Sequence, residues 1–137
     1  MNGRIKDKIN ELHDLIEELE EIRTVDLDIY LQDNQLRAAN ERYFEKIVEC
    51  IVKIAFTIVR EKKLEIPEDD DKTIFEVLEK HKIIDPALAK RLQDAKSMRN
   101  ILAHEYGKID DKLVFEALAH EIMPDVEAFL NQIKKVL

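Results

Sequence analysis

The sequence has few of the residues that interrupt helices. It contains two glycines, three prolines and no tryptophan in 137 residues. Because glycine and proline most often end helices and form turns, their scarcity disfavours a fold built from many short strands. Hydrophobic residues make up 45% of the chain and charged residues 38%. This composition is typical of helices that have one apolar side and one charged side.

Other absences restrict the function. Cys50 is the only cysteine, so one chain cannot form a disulfide framework or a cysteine-rich zinc site. No apolar run approaches the roughly 18 residues that a membrane span needs, and the first residues lack the apolar core of a secretion signal. We therefore expect a cytoplasmic protein with no membrane partner. The net charge of −8 argues against a general nucleic-acid coat protein, although a local basic patch is compatible with it.

Apolar periodicity predicts two long helices in the first half of the chain. Apolar residues recur every three or four positions over Ile5–Arg23 and again over Leu36–Lys63, which is the spacing of one helical side. The segment 24–33 between them is predicted to be a short bridge. The second helix also carries apolar residues beside its main stripe, so its middle should be buried on two sides.

The second half of the chain contains clear helix boundaries. A short helix is predicted over Lys72–His81, with Asp71 as its candidate N-cap. The next helix should start with Asp85 as N-cap and Pro86 at its first position, and Gly107 is placed to end it.

A last helix is predicted from Asp110 or Asp111 to the end of the chain, and Pro124 should kink it or split it in two. Together these elements predict an all-α fold, an antiparallel four-helix bundle with a short additional helix. The length is that of one domain, spanning residues 1–137.

The sequence does not predict a metal site or a cofactor. Residues 68–71, "EDDD", lie in a predicted loop, where consecutive carboxylates usually stay solvated. His104 and His120 each precede a glutamate, as in the zinc-protease motif, but Lys108 and Pro124 occupy the positions of the required second histidine. The other two histidines of the chain lie among charged residues and are interpreted as surface side chains.

The stretch "SMRNILAHEYG", residues 97–107, concentrates polar groups at a helix end. On an ideal helix Asn100 and His104 lie one turn apart on the same side, and Arg99 lies close to Tyr106 in angle. A histidine can remove or return a proton near neutral pH, and an arginine can bind two phosphate oxygens. The simpler interpretation is a helix end whose basic groups favour the helix dipole.

These groups suit metal-independent cleavage of RNA. Attack by the 2′-hydroxyl works best with both a general base and a general acid, and each chain offers one well-placed histidine. A symmetric dimer would supply the pair. Residues 90–108 also carry five basic residues against two acidic ones, and two of the five, Lys96 and Lys108, are candidates for binding RNA phosphates.

The motif "RNILAHEY", Arg99 to Tyr106, resembles that of the HEPN superfamily, in the form found in HepT-like (DUF86) ribonuclease toxins. The resemblance continues outside the motif. Residues 41–59 are similar to the long second helix of that family, residues 66–85 to its connecting segment and residues 108–133 to its closing helix.

The resemblance implies an all-helical homodimer whose two motifs form one metal-independent ribonuclease site. Arg99 and His104 would be catalytic, and Asn100 would be the polar residue that supports them. Family members pair with a minimal nucleotidyltransferase antitoxin, MntA, which is understood to neutralise the toxin by transferring AMP to the motif tyrosine. Tyr106 would be that acceptor in a type VII-like toxin–antitoxin system. One departure is Lys53, in a part of the long helix where many relatives carry an acidic residue.

Two alternatives to a toxin ribonuclease stay open from the sequence. The chain can be a non-catalytic helical module that binds a nucleotidyltransferase or a nucleotide through the motif. It can also be a purely structural bundle, in which case the motif is a coincidence.

Overall fold

The computed structural model describes residues 3–66, 73–104 and 109–137, and these form helices joined by short connections. The helices are α1 (Gly3–Ile22), α2 (Leu27–Gln32), α3 (Asn34–Glu61), α4 (Ile74–Lys80), α5 (Pro86–His104), α6 (Asp111–Glu116) and α7 (Ile122–Ile133). A π-helical turn (Ala117–Glu121) joins α6 to α7, and a 3-10 turn (Lys134–Val136) follows. The predicted all-α bundle is confirmed within the described ranges.

Hydrogen bonds between helices fix their directions. Cys50 of α3 donates from Sγ to the Lys8 carbonyl of α1 (3.3 Å), and Asn40 donates to the Ile22 carbonyl (3.3 Å). The start of α1 thus lies beside the later part of α3, and the end of α1 lies beside the first turns of α3, so the two helices are antiparallel. The same holds for α5 and α7, where Asp85 accepts from Gln132 Nε2 at 2.7 Å and Arg91 donates to Asp125 at 2.8 Å.

The core is apolar and lies between α1, α3, α5 and α7. Phe44 and Phe129 are fully buried in it, together with residues of the predicted apolar stripes such as Leu12, Leu19 and Ile54. Cys50 belongs to this core, and burial raises the pKa of its thiol to about 11. Burial and the raised pKa both disfavour the thiolate, which is the reactive form of cysteine.

One helix was not predicted. The segment 24–33 contains α2, whose first turn is capped by Asp26, with its Oδ1 accepting from the Ile29 amide at 3.2 Å. Tyr30 of α2 is buried against the Phe115 ring of α6, with ring centroids 5.5 Å apart. Six residues are too few to show helical periodicity, although the capping aspartate was a visible signal.

The proline of the last helix is accommodated by the π turn. In π geometry the Ala119 carbonyl would accept from the amide five residues later, and Pro124 at that position has no N–H. Arg23, just after α1, donates from Nη1 to this carbonyl instead, at 2.6 Å. The helix is thus divided before Pro124, and Arg23 supplies the missing donor.

This contact predicts a stability effect. We expect Arg23→Ala to lower the free energy of unfolding by about 1–3 kcal/mol, because it leaves the buried Ala119 carbonyl without its charged donor. Urea denaturation measures the change. Lys90→Ala is the matched control, since Lys90 makes only an exposed ion pair with Asp94 and should change the stability by less than about 1 kcal/mol. Equal effects of the two variants would contradict this role of Arg23.

Candidate functional site

Helix α5 carries most of the candidate site. Its start is fixed by Asp85, whose Oδ1 accepts from the Leu88 amide at 2.7 Å, with Pro86 at the first helical position. The Leu88 amide and the Gln132 side chain both donate to the Asp85 carboxylate and lower its pKa, which keeps the cap ionised. Leu88 and Leu92 are buried on the inner side of the helix, so the polar residues of its last turns lie at the edge of the bundle.

Arg99 is held in place by two oxygen atoms. Its Nη2 donates to Glu49 Oε1 of α3 at 2.7 Å, and its Nη1 donates to Asn100 Oδ1 at 2.8 Å. The side chain of Arg99 is 23% exposed and that of Glu49 is 33% exposed. Each terminal nitrogen of a guanidinium carries two hydrogens, and among the described residues each of these nitrogens has one partner. The fixed guanidinium can therefore still donate to a phosphate.

The Nε atom of Arg99 is buried and has no hydrogen-bond partner within the part of the chain that the structure describes. A buried donor without a partner costs free energy. An anionic ligand or a neighbouring residue could accept a hydrogen bond from this donor, so Arg99 stays a candidate binding group.

Glu49 was not predicted as a site residue. Its contact with Arg99 joins residues 50 positions apart, and only the packing of α3 against α5 brings them together. The resemblance offered one signal: many relatives carry an acidic residue in the long helix, in the part where this chain has Lys53. In the structure Lys53 is exposed, and the acid that contacts Arg99 lies one turn earlier, at Glu49.

His104 and Asn100 lie one turn apart at the end of α5. His104 is the last residue of the helix and is exposed, whereas Asn100 is half-buried beside Arg99. The exposed imidazole is accessible to a substrate. The structure therefore brings Arg99 into contact with Asn100 and with Glu49 of α3, and His104 lies one turn after Asn100 on α5.

The remaining predicted residues divide into two groups. Lys96 was expected to bind phosphates, and this prediction is wrong for the subunit as described, because Lys96 is only 1% exposed and its ammonium cannot reach a surface ligand. Tyr106, Gly107 and Lys108 lie outside the described residues, as does the candidate N-cap Asp71.

Two further sequence predictions concern absences. Among residues 3–66, 73–104 and 109–137, no group of three potential metal ligands comes together; the acidic stretch 68–71 lies outside these ranges. Within the same ranges, no helix is long and apolar enough to cross a membrane.

The fold and the site define an all-helical protein with a fixed arginine and an accessible histidine, the pair of groups suited to phosphodiester chemistry. Its similarity to known proteins is consistent with that class. The chain is 27% identical over 122 residues to the tRNA nuclease HepT of Aphanizomenon flos-aquae, covering 89% of this chain and 82% of that protein. It is 26% identical to the mRNA nuclease HepT of Shewanella oneidensis, covering 98% of both.

Solved structures of similar fold also include a HEPN toxin. The tri-AMPylated HEPN toxin of Shewanella oneidensis, solved in complex with an MNT antitoxin, superposes with a TM-score of 0.89 and 26% identity, over 98% of this chain and 99% of that one. A family model described as "Ribonuclease HepT-like" matches residues 12–133. The chain belongs to this HepT-like ribonuclease family, which confirms the resemblance seen in the motif.

Proposed function

We propose that this protein is the toxin of a toxin–antitoxin pair, a metal-independent RNA endonuclease with Arg99 and His104 as its catalytic residues. The observation that carries the proposal is the guanidinium of Arg99, which Glu49 and Asn100 hold at the bundle edge while His104 ends the same helix. Membership of a ribonuclease family and two HepT nucleases among the relatives support it.

The reaction can be derived from the chemistry of these groups. A neutral imidazole takes the proton of a ribose 2′-hydroxyl, and the 2′-oxygen attacks the adjacent phosphorus. The bond from phosphorus to the 5′-oxygen breaks, and a protonated imidazole gives that oxygen a proton. The products are a 2′,3′-cyclic phosphate and a free 5′-hydroxyl. The Arg99 guanidinium stabilises the extra negative charge at the phosphate while both bonds are partial.

This chemistry works best with one imidazole as base and a second as acid, and we propose that a homodimer supplies the two histidines. Each chain contributes one His104, so one copy acts as base while the other acts as acid. A two-fold axis near the end of α5 would bring the two copies together. The environment of the two side chains supports this arrangement. Asn100 is half-buried and bonded to Arg99, whereas His104 is exposed at the end of α5 and can face the substrate.

We further propose that an MntA-like nucleotidyltransferase neutralises the toxin by transferring AMP to Tyr106. The support is the similar HEPN toxin, which is tri-AMPylated and in complex with an MNT antitoxin. Tyr106 lies two residues after His104 in the sequence. A phosphate attached there would compete with RNA for the guanidinium of Arg99 by the same charge attraction that binds substrate.

One experiment tests cleavage and neutralisation together. The pure protein is first incubated with RNA in EDTA, and we expect cleavage. A second sample is pretreated with the nucleotidyltransferase, ATP and Mg²⁺, and we expect a mass gain of one or more AMP units and loss of cleavage. Tyr106→Phe should gain no AMP and keep cleaving after pretreatment. Tyr43→Phe, which alters a half-buried tyrosine of α3, is the matched control and should behave as the wild type.

Two outcomes would contradict the proposal. Equal cleavage by an Arg99→Ala/His104→Ala double variant would identify the activity as a contaminant. A stable complex with the nucleotidyltransferase, without RNA cleavage by the free protein, would instead support a non-catalytic docking module.

A further inference from the structure

One side of α3 carries a regular series of charged residues that the site uses only in part. Arg42, Lys46, Lys53 and Arg60 follow one another at spacings of four and seven residues. At 100° per residue these four positions fall within an arc of about 40°. We call these four residues the basic stripe. They are all exposed, whereas the opposite side of α3 is buried in the core.

The acidic residues beside the stripe are already paired. Glu49 lies between Lys46 and Lys53 and accepts from Arg99 at 2.7 Å. Glu45 lies 3.8 Å from Arg42. This ion pair is long and the Arg42 side chain is 59% exposed, so the pair contributes little and Arg42 can bind another anion instead. The four cations of the stripe and Arg99 thus lie together near Glu45 and Glu49, although the whole chain has a net charge of −8.

The candidate catalytic arginine sits at the middle of the stripe. Because Glu49 binds Arg99, the guanidinium lies beside the helical turn that separates Lys46 from Lys53. The distance along the helix from Arg42 to Arg60 is about 27 Å at 1.5 Å per residue. A phosphate bound to Arg99 would thus have further cations on both sides along one straight line.

An aromatic residue occurs in the same series. Phe56 lies between Lys53 and Arg60 at helical spacing and is half-buried, so part of its ring is accessible. Cations that follow a backbone, combined with an aromatic ring on which a base can stack, are the usual means of holding single-stranded nucleic acid over about 4 or more nucleotides.

We propose that the basic stripe binds the phosphate backbone of single-stranded RNA on both sides of the phosphate that is cleaved. The inference rests on the proposed function, because it takes the phosphate bound by Arg99 to be the one that is cleaved. It assigns a second role to α3, which then both positions Arg99 through Glu49 and holds the substrate.

The test measures binding separately from cleavage. A His104→Ala protein is titrated with a fluorescent single-stranded RNA at several salt concentrations, with and without the added change Lys53→Gln/Arg60→Gln. We expect the double change to weaken binding by about 10-fold and to lower the slope of log affinity against log salt by about 1.4, since each phosphate contact on a single strand contributes about 0.7. With His104 restored, the same change should raise KM for RNA.

Lys134→Gln/Lys135→Gln is the matched control. It removes two positive charges from the exposed turn after α7, away from α3, and should leave the affinity and its salt slope unchanged. Circular dichroism and thermal unfolding would verify that both double variants are folded, as expected for exposed residues.

The outcomes separate this inference from the proposed function. If the wild type cleaves RNA but the stripe variant binds it with unaltered affinity and salt slope, the inference is overturned and the proposed function stands. If nothing cleaves RNA but the stripe variant alone binds it more weakly, the binding surface stands without the catalysis. If the stripe variant binds RNA normally but loses the complex with the nucleotidyltransferase, the stripe recognises an acidic protein surface and the inference is wrong.

Discussion

His104→Ala is expected to lower the rate of RNA cleavage in EDTA by about 10²–10⁴-fold, the usual contribution of a positioned acid–base group. His104 is exposed at the end of α5, so its removal should leave the fold intact. Single-turnover cleavage of a labelled RNA measures the rate, and circular dichroism checks the fold. His120→Ala is the matched control, because His120 is also an exposed histidine, in the π turn, and should cleave as the wild type does.

Mixing of subunits tests whether two copies of His104 serve one site. Wild-type and His104→Ala chains are unfolded together in equal amounts and refolded. If base and acid come from different subunits, only the pure wild-type dimers cleave, and these make up about one quarter of a random two-fold mixture. Activity equal to half that of the same total amount of wild-type protein would show that each subunit works alone, and would contradict the composite site.

Glu49→Gln is expected to lower kcat by about 10- to 100-fold, since a hydrogen bond between charged groups contributes about 1.5–3 kcal/mol. The carboxylate accepts from Arg99 Nη2 at 2.7 Å, and the amide of glutamine can present its nitrogen to the guanidinium instead of an oxygen. The guanidinium would then adopt several orientations, and fewer of them would match the charge that forms at the phosphate. Steady-state kinetics with RNA measures kcat and KM.

Three comparisons separate positioning of Arg99 from other effects of the change. Glu49→Asp keeps the charge and should recover part of the activity. Glu45→Gln removes the neighbouring carboxylate, which lies 3.8 Å from Arg42, and should not lower kcat. Thermal unfolding of Glu49→Gln should be close to that of the wild type, because the pair is partly exposed. An increase of kcat/KM in Glu49→Gln would show instead that Glu49 competes with RNA for Arg99.

Helical periodicity and capping residues predicted the four main helices within a few residues. They act locally, so a single sequence displays them: Asp85 and Pro86 start α5 as expected, and Asp110 caps α6. The segment 24–33 is too short for periodicity to appear, and α2 was missed. The π turn was not predicted, and the residue that donates to its Ala119 carbonyl, Arg23, is more than 90 residues away in the sequence.

The site was predictable to a lesser extent. The motif identified Arg99, Asn100 and His104 because they share one helix, and their mutual spacing follows from its geometry. Glu49 comes from another helix, and its contact with Arg99 depends on how α3 packs against α5. The assignment of Lys96 failed for the same reason, since charge counting along the sequence does not show that its side chain points into the bundle.

Thiol labelling of Cys50 can measure local opening of the unmutated protein. It is the only thiol of the chain, it is 3% exposed, and it is bonded to the Lys8 carbonyl across the seam between α1 and α3. A thiol reagent can modify it only when α1 separates from α3. The labelling rate of the unmutated protein therefore reports how often this seam opens. Comparing the rate with and without antitoxin would show whether neutralisation lowers the frequency of opening as well as blocking the site.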